Sequence, residues 1–372
     1  MRKWLTREEV LAELNVRAQT LYAYVSRGLI ERRSDPADPR RSVYSGADIQ
    51  TLSQRRARGR RVASIAASAM AWGEPVIPTA ISTVTHGELI YRGRRAVDLA
   101  ESATLEEVAA LLWETTKPIS FPVMSLGSDP FLSVAALVAD GRSLIGRPTE
   151  KLASEAAACV ATIAGAFGAI GEGGMHHRLG RAWSLDDAGR NYVRRALVLL
   201  TDHELNPSTF ATRIAASTGA SMPACILAGL ATLSGPRHGG AGGALEALVA
   251  EAASTSVDAA IERWLATGHG LPGFGHPLYA HGDPRAAALL SGIEPDSEMV
   301  ALRNGVADAL DQQPNVDFAL LTIARILALP ANASLALFAI ARTVGWAAHA
   351  IEQAASKTII RPRAIYQGIS MD

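Results

Sequence analysis

Cysteine is nearly absent: Cys159 and Cys225 are the only two in 372 residues. Both stand in apolar, alanine-rich sequence, so a disulfide-stapled architecture is excluded and two reduced, buried thiols are expected. No apolar stretch follows the N-terminal Met1-Arg2-Lys3-Trp4, so no secretory leader is predicted. The longest nearly apolar run, 156–170, falls short of the roughly 20 residues that a membrane-spanning helix needs. Strands do not alternate with helices, which excludes a parallel sheet, and no repeat of fixed period appears. Neither sign of charge is in excess, with 36 basic and 36 acidic residues. These absences predict a cytoplasmic chain without membrane attachment. Its 48% hydrophobic composition is enough for a sizeable core, divided among two or three domains by its length.

The overall balance hides a split. Residues 1–61 carry 14 Lys/Arg against 7 Asp/Glu, a net +7, so the remainder carries −7. Such a split predicts two modules with different partners. Thr6-Arg7-Glu8-Glu9 is a capping-box pattern that opens a helix through Val10, Leu11 and Leu14. A second short helix is expected from Arg17 through Leu21 and Val25 to Gly28, and a basic hairpin from Glu31 to Tyr44 with its turn at 35–39. With Leu21-Tyr22-Ala23-Tyr24-Val25 and Tyr44-Ser45-Gly46-Ala47-Asp48-Ile49, residues 1–61 resemble winged helix-turn-helix domains of the MerR and excisionase type. The resemblance implies DNA as a partner, contacted by Arg17, Gln19, Tyr22 and the wing arginines. Packing on a neighbouring domain, or association, is the equal alternative.

Beyond Val76 helical periodicity dominates. Helices are expected over 132–140, 149–171, 186–202, 208–219, 222–233, 241–253, 256–266, 284–291, 296–312, 315–328 and 332–354. Four polar clusters interrupt them: Asp202-His203-Glu204-Leu205-Asn206, Gly235-Pro236-Arg237-His238-Gly239-Gly240-Ala241, Gly273-Phe274-Gly275-His276 and Asn315-Val316-Asp317-Phe318. Together they offer three histidines and, in Asp317, a carboxylate for proton transfer, with one histidine in a glycine-rich bend where backbone can approach a ligand. A single histidine beside glycine is ordinarily a turn; the ordered set is the signal.

Those clusters, with Gly87-Glu88-Leu89-Ile90-Tyr91-Arg92-Gly93, Asp283-Pro284-Arg285, Ala341-Arg342-Thr343-Val344-Gly345-Trp346 and Arg361-Pro362-Arg363, resemble citrate synthase, including its 2-methylcitrate synthase branch. The resemblance implies a mainly α, two-lobed module over 62–372, preceded by the small domain. The large lobe would hold about 72–235 and 330–372, the small lobe about 236–329. It implies an acyl-CoA:2-oxo acid condensing enzyme that joins acetyl-CoA or propionyl-CoA to oxaloacetate. The acyl group becomes alkyl on transfer, and no cofactor or metal is tightly bound. Asp317 matches the catalytic base, His238 the group on the thioester carbonyl, and His276 the group on the oxo-acid carbonyl. His203, Arg285, Arg342 and Arg361 match the oxo-acid ligands, Arg361 acting across a homodimer. Gly273, Phe274 and Gly275 belong to the CoA-binding segment. His176, His177, His269, His281 and His349 match no ligand. Two departures bear on CoA and acyl binding: Gly242-Gly243 replaces the usual Asn-Glu, and Pro277 replaces a common basic residue. A regulator that uses an inactive synthase-like domain as a metabolite sensor is the alternative function.

Overall fold

The computed structural model describes residues 4–14, 16, 21, 24–25, 29–35, 38, 41–50, 76–236, 238–239, 241–267 and 270–364. Arg17, Gln19, Tyr22 and His269 lie outside them. The chain divides into two compact units, Met1–Ile77 with Pro362–Asp372, and Pro78–Arg361.

In the first unit, helix Arg7–Leu14 begins at the expected capping box. The Thr6 N–H donates to Glu9 Oε2 at 2.8 Å, and the Glu9 N–H returns to Thr6 Oγ1 at 3.4 Å. Strands Trp4–Thr6, Arg32–Ser34 and Ser42–Ser45 form an antiparallel sheet with Ser42–Ser45 central, so the hairpin expected over 31–44 is present. Val10, Leu14, Leu21, Ile30, Tyr44 and Ile49 make its core.

The second unit opens with a three-stranded antiparallel meander, Ser82–Thr85, Glu88–Tyr91 and Arg94–Arg95. Helices follow, most of them started by a local polar signal. Thr104 and Glu107 close a full capping box on Leu105–Trp113. Asp129, Asn206 and Asp283 each cap a helix whose first residue is proline, the position where a missing N–H costs nothing. Helix Ala333–Ser356 runs through the middle. It is long and apolar enough to cross a bilayer, yet 78% of its apolar window is buried against the rest of the unit. Helices Thr149–Ala166, Asp187–Leu200, Pro207–Ser217 and Met222–Leu233 pack around it. Both cysteines are free and buried in this core, and burial pushes their thiols up to about 12. A second core is built from helices Ala241–Ser254, Val257–Ala266, Ser297–Leu310 and Val316–Ile326, around Leu245, Leu248, Ile261, Leu302 and Phe318.

The structure corrects the helix expectations in three places. The helix predicted over 149–171 ends at Ala166, because Gly168, Gly171 and Gly173 all take positive φ in the turn beyond it. Helices Ala96–Ser102 and Met175–Ala182 were not expected. The latter is short, and its N-terminus is held from outside by Glu106 Oε1, which accepts the Met175 N–H at 2.7 Å.

Close packing around the central helix depends on Gly229. A Cβ there would lie 2.5 Å from Thr212 Oγ1 and 2.8 Å from the Trp346 ring. Gly229→Ala should therefore lose about 1–3 kcal/mol by overpacking. Gly242→Ala, with nothing within 4 Å of the added carbon, should be neutral or gain up to about 1 kcal/mol from helix propensity. Denaturant melts of both variants test this; equal stabilities would refute the packing argument.

Candidate active site

Loop Thr201–Asn206 carries the first histidine and is pinned from beneath. Asp202 is fully buried, its Oδ2 bonded to the Ser82 hydroxyl and, at 3.2 Å, to His349 Nε2. Its backbone N–H donates to the Tyr91 hydroxyl at 3.2 Å. Gly345 of the central helix is required here, since a Cβ would meet Asp202 Oδ1 at 2.6 Å. His203 is thereby presented with Nε2 at 2.8 Å from the Tyr279 hydroxyl, and its ring centroid lies 5.0 Å from that of His276.

His238 follows the end of helix Met222–Leu233. The Gly239 N–H closes that end on Leu233 O at 2.9 Å, and a Cβ on Gly239 would strike Leu233. His238 Nε2 is 2.8 Å from Ser208 Oγ, which also accepts from Trp346 Nε1 at 3.2 Å and lies 2.7 Å from Asn206 Oδ1. Asn206 is fixed as an acceptor there because its other atom, Nδ2, donates to His203 O at 3.3 Å. The single Ser208 proton thus has two destinations, Asn206 Oδ1 or His238 Nε2, and its choice sets which His238 nitrogen carries hydrogen.

His276 and Asp317 are laced together. The Asn315 N–H donates to Gly273 O at 2.9 Å and Asn315 Nδ2 to Gly275 O at 3.1 Å. Asn315 Oδ1 caps the Asp317 N–H at 3.0 Å. Gly273 and Gly275 have φ of +84° and +63°, conformations that suit glycine. The Phe274 ring is buried against Phe318 at 5.2 Å, so its side chain belongs to the second core. His276 Nδ1 accepts the Leu278 N–H at 3.2 Å, which leaves the neutral ring its proton on Nε2. Asp317 occupies the first turn of Val316–Ile326, and no side chain among the described residues bonds its carboxylate.

Two arginines complete the group. Arg285 is buried and paired bidentately with Asp283, Nε to Oδ1 at 2.9 Å and Nη2 to Oδ2 at 2.7 Å. Arg342, 1% exposed, makes no ion pair among the described residues. Its Nε donates to Leu200 O at 2.9 Å, while Nη2 is buried without a partner. An unpaired buried guanidinium is costly, and an anionic ligand is what would satisfy it.

Burial, then the Arg342 charge, lowers the His238 pKa to about 4; burial and Arg285 do the same to His276. His203 falls well below its ordinary value by burial and by Arg285, Arg342 and His276. Burial raises Asp317 to about 6 against the opposing pull of Arg285 and Arg342, with Asp283 adding to the rise. At neutral pH the site presents three neutral imidazoles and one carboxylate of raised basicity.

The structure brings His203, His238, His276, Arg285, Arg342 and Asp317 into one group. Arg361 is exposed, with no ion pair among the described residues. Ser208, Tyr279, Asp202 and Ser82 were given no role from the sequence. Asp202 lies inside the first polar cluster and Ser208 two residues beyond it, and their neighbourhood to His203 was the available signal. Among the described residues no group of three or more His, Cys, Asp and Glu could hold a metal.

A helical scaffold that gathers neutral imidazoles, a carboxylate of raised basicity and an arginine without an ion pair among the described residues can transfer protons beside a bound anion. The chain belongs to the citrate synthase family: the model of the citrate synthase C-terminal domain matches residues 70–121 and 149–363. Citrate synthase 2 of Bacillus subtilis is 34% identical over 185 residues, 47% of this chain and 50% of that one. The match thus spans half the length of that relative. Citrate synthase of Haloferax volcanii is 27% identical over 341 residues, 76% of this chain and 90% of its own. Among solved structures, citrate synthase from Thermotoga maritima superposes with a TM-score of 0.69 at 25% identity, covering 82% of this chain and 96% of that one. The ternary complex of carboxymethyl coenzyme A and oxaloacetate with citrate synthase from Thermoplasma acidophilum gives 0.68 at 26% identity, over 80% and 95%.

Tyr279 touches three of these groups: its hydroxyl bonds His203, its ring lies 5.0 Å from that of His276, and Arg285 stands 5.4 Å over it. Tyr279→Phe keeps the ring and removes the bond to His203. The expected result is a KM for the oxo acid raised several-fold with the melting temperature nearly kept, since one net hydrogen bond is worth about 0.5–1.5 kcal/mol. An unchanged KM would show that the hydroxyl does not position His203.

Proposed function

We propose that the protein condenses an acyl-CoA with oxaloacetate, giving citrate or 2-methylcitrate and free CoA. The observation that carries this reading is Asp317: an unbonded carboxylate of pKa about 6 on the wall of an apolar cavity, in the field of Arg285 and Arg342. In this reading Asp317 takes a proton from the carbon next to the thioester carbonyl. His238 donates a hydrogen bond to the oxygen that becomes enolic, with the Ser208 proton turned toward Nε2 and the ring's own proton on Nδ1. The enol carbon attacks the oxo carbon of oxaloacetate, and His276 Nε2–H polarises and protonates that oxygen. Water then cleaves the thioester and CoA leaves. Arg342, Arg285 and His203 hold the carboxylates, Arg342 through the unpartnered Nη2. The Gly273-Phe274-Gly275 segment would meet CoA through its backbone. These residues supply both proton transfers, so the CoA thioester enters as substrate and no bound cofactor is required.

Residues 236–329, which carry the second core, are read as the small lobe, and about 72–235 with 330–372 as the large lobe. Residues 1–61 are read as a winged helix-turn-helix unit with affinity for DNA, on the support of their net +7 and the basic hairpin. The chain is read as a cytoplasmic homodimer in which Arg361 reaches the partner's oxo acid; its exposure beyond the end of the central helix supports this.

Asp317→Asn should lower turnover roughly 10²–10⁴-fold, the worth of a positioned general base, while oxaloacetate binding changes little. Wild-type turnover should rise as pH passes through about 6, because the base must be ionised, and the variant should lack that limb. A stable Asn variant that keeps more than about a third of wild-type turnover would remove Asp317 from the role. Shared sites predict complementation: mixing folded, inactive Arg361→Ala and Asp317→Ala chains should restore part of the activity in mixed dimers. Failure of proven mixed dimers to recover any would refute sharing.

A further inference from the structure

We propose that the acyl group carries a chain longer than propionyl, seated in the apolar cavity beside Asp317; this rests on the condensing reading above. The cavity measures about 350 Å³. Phe131, Phe167, Leu320, Leu335 and Phe338 supply much of its wall, and Asp317 is the functional group on it. No lysine or arginine lines it among the described residues, and Glu246 does. The cavity is therefore unsuited to the phosphates of CoA, which need cations.

The chemistry fixes where a longer chain must go. Asp317 removes the proton from the carbon next to the thioester carbonyl, and the rest of the acyl chain extends from that same carbon. The chain must therefore leave from beside the carboxylate, where the wall is apolar. An acetyl group has no atoms to place there. A methylene needs about the volume of one liquid water, about 30 Å³, so the space exceeds what a propionyl methyl would fill. Gly242 and Gly243 enlarge it: both line the cavity, and a Cβ on either would meet nothing within 4 Å. A side chain at these positions would project into space that is open here.

The test is release of free CoA in the presence of oxaloacetate from acetyl-, propionyl-, butyryl- and hexanoyl-CoA. Gly243→Leu and, from another element of the wall, Leu335→Phe are compared with wild type after melting curves confirm folding. Burial is worth about fourfold per methylene, so kcat/KM should rise tenfold or more from acetyl- to butyryl- or hexanoyl-CoA. Each variant should lower the hexanoyl-to-acetyl ratio at least several-fold. Best turnover with acetyl- or propionyl-CoA would overturn the proposal and leave the condensing reading intact. If the pantetheine arm occupies the cavity instead, the variants will raise KM for every acyl-CoA alike, which also overturns it. No CoA release from any thioester would sink the condensing reading, and the chain-length proposal with it.

Discussion

The site depends on a buried charge that makes no ion pair among the described residues. Arg342 comes from the middle of the central helix, 1% exposed, and burial depresses even its guanidinium to about 10. Asp202 is the largest influence opposing that shift, yet no hydrogen bond joins the two. Burial, reinforced by the cationic field of Arg342 and Arg285, keeps the nearby imidazoles neutral, and that field pulls against the rise of Asp317. An anion seated on these arginines would cancel much of that field. The carboxylate of Asp317 would then become more basic at the moment when a carbon acid is to be deprotonated. Substrate charge and base strength are coupled through one unpaired guanidinium.

Arg285 shows the opposite solution. Its charge is taken up by Asp283, whose Oδ2 also accepts the Val316 N–H at 3.1 Å. One carboxylate therefore caps its own helix, holds the arginine and receives the first N–H of the helix that carries Asp317. Burial alone would raise the Asp283 pKa, but the guanidinium and these donors hold it below the ordinary range. Breaking such a buried pair from one side strands the other charge, so the pair acts as a hinge pin for site geometry more than as a source of net stability.

Much of this was legible in the chain. His203, His238, His276 and Asp317 stand out because each breaks an apolar helical pattern with a polar cluster, and the capping box at Thr6 and Glu9 is a local signal with a local cause. Helix Met175–Ala182 was not legible because a side chain distant in sequence, Glu106, satisfies its first N–H. Ser208 and Tyr279 were missed for a related reason. Their importance lies in which atom they meet across 30 and 76 residues, and no periodicity encodes that. Arg361 is the converse: its motif is plain in sequence, but a single chain leaves it exposed.

The same long-range logic explains why so much polarity lies under the site. The Ala80 N–H binds Glu352, Glu352 binds Arg213, and Arg213 Nη1 reaches His349 Nδ1 at 3.2 Å. That contact places the His349 proton on Nε2, where it donates to Asp202 Oδ2. The relay ties the strand beginning at Ser82, the His203 loop and the central helix to one another through directional bonds. Apolar packing could hold these elements equally close, but it tolerates sliding. The inner bonds, from Arg213 to His349 and from His349 to Asp202, are buried and fail steeply when a donor moves, because the abandoned group has no water to turn to. The relay stabilises the fold modestly and fixes the position of His203 against Arg342 strongly, as precise positioning of a bound anion would require.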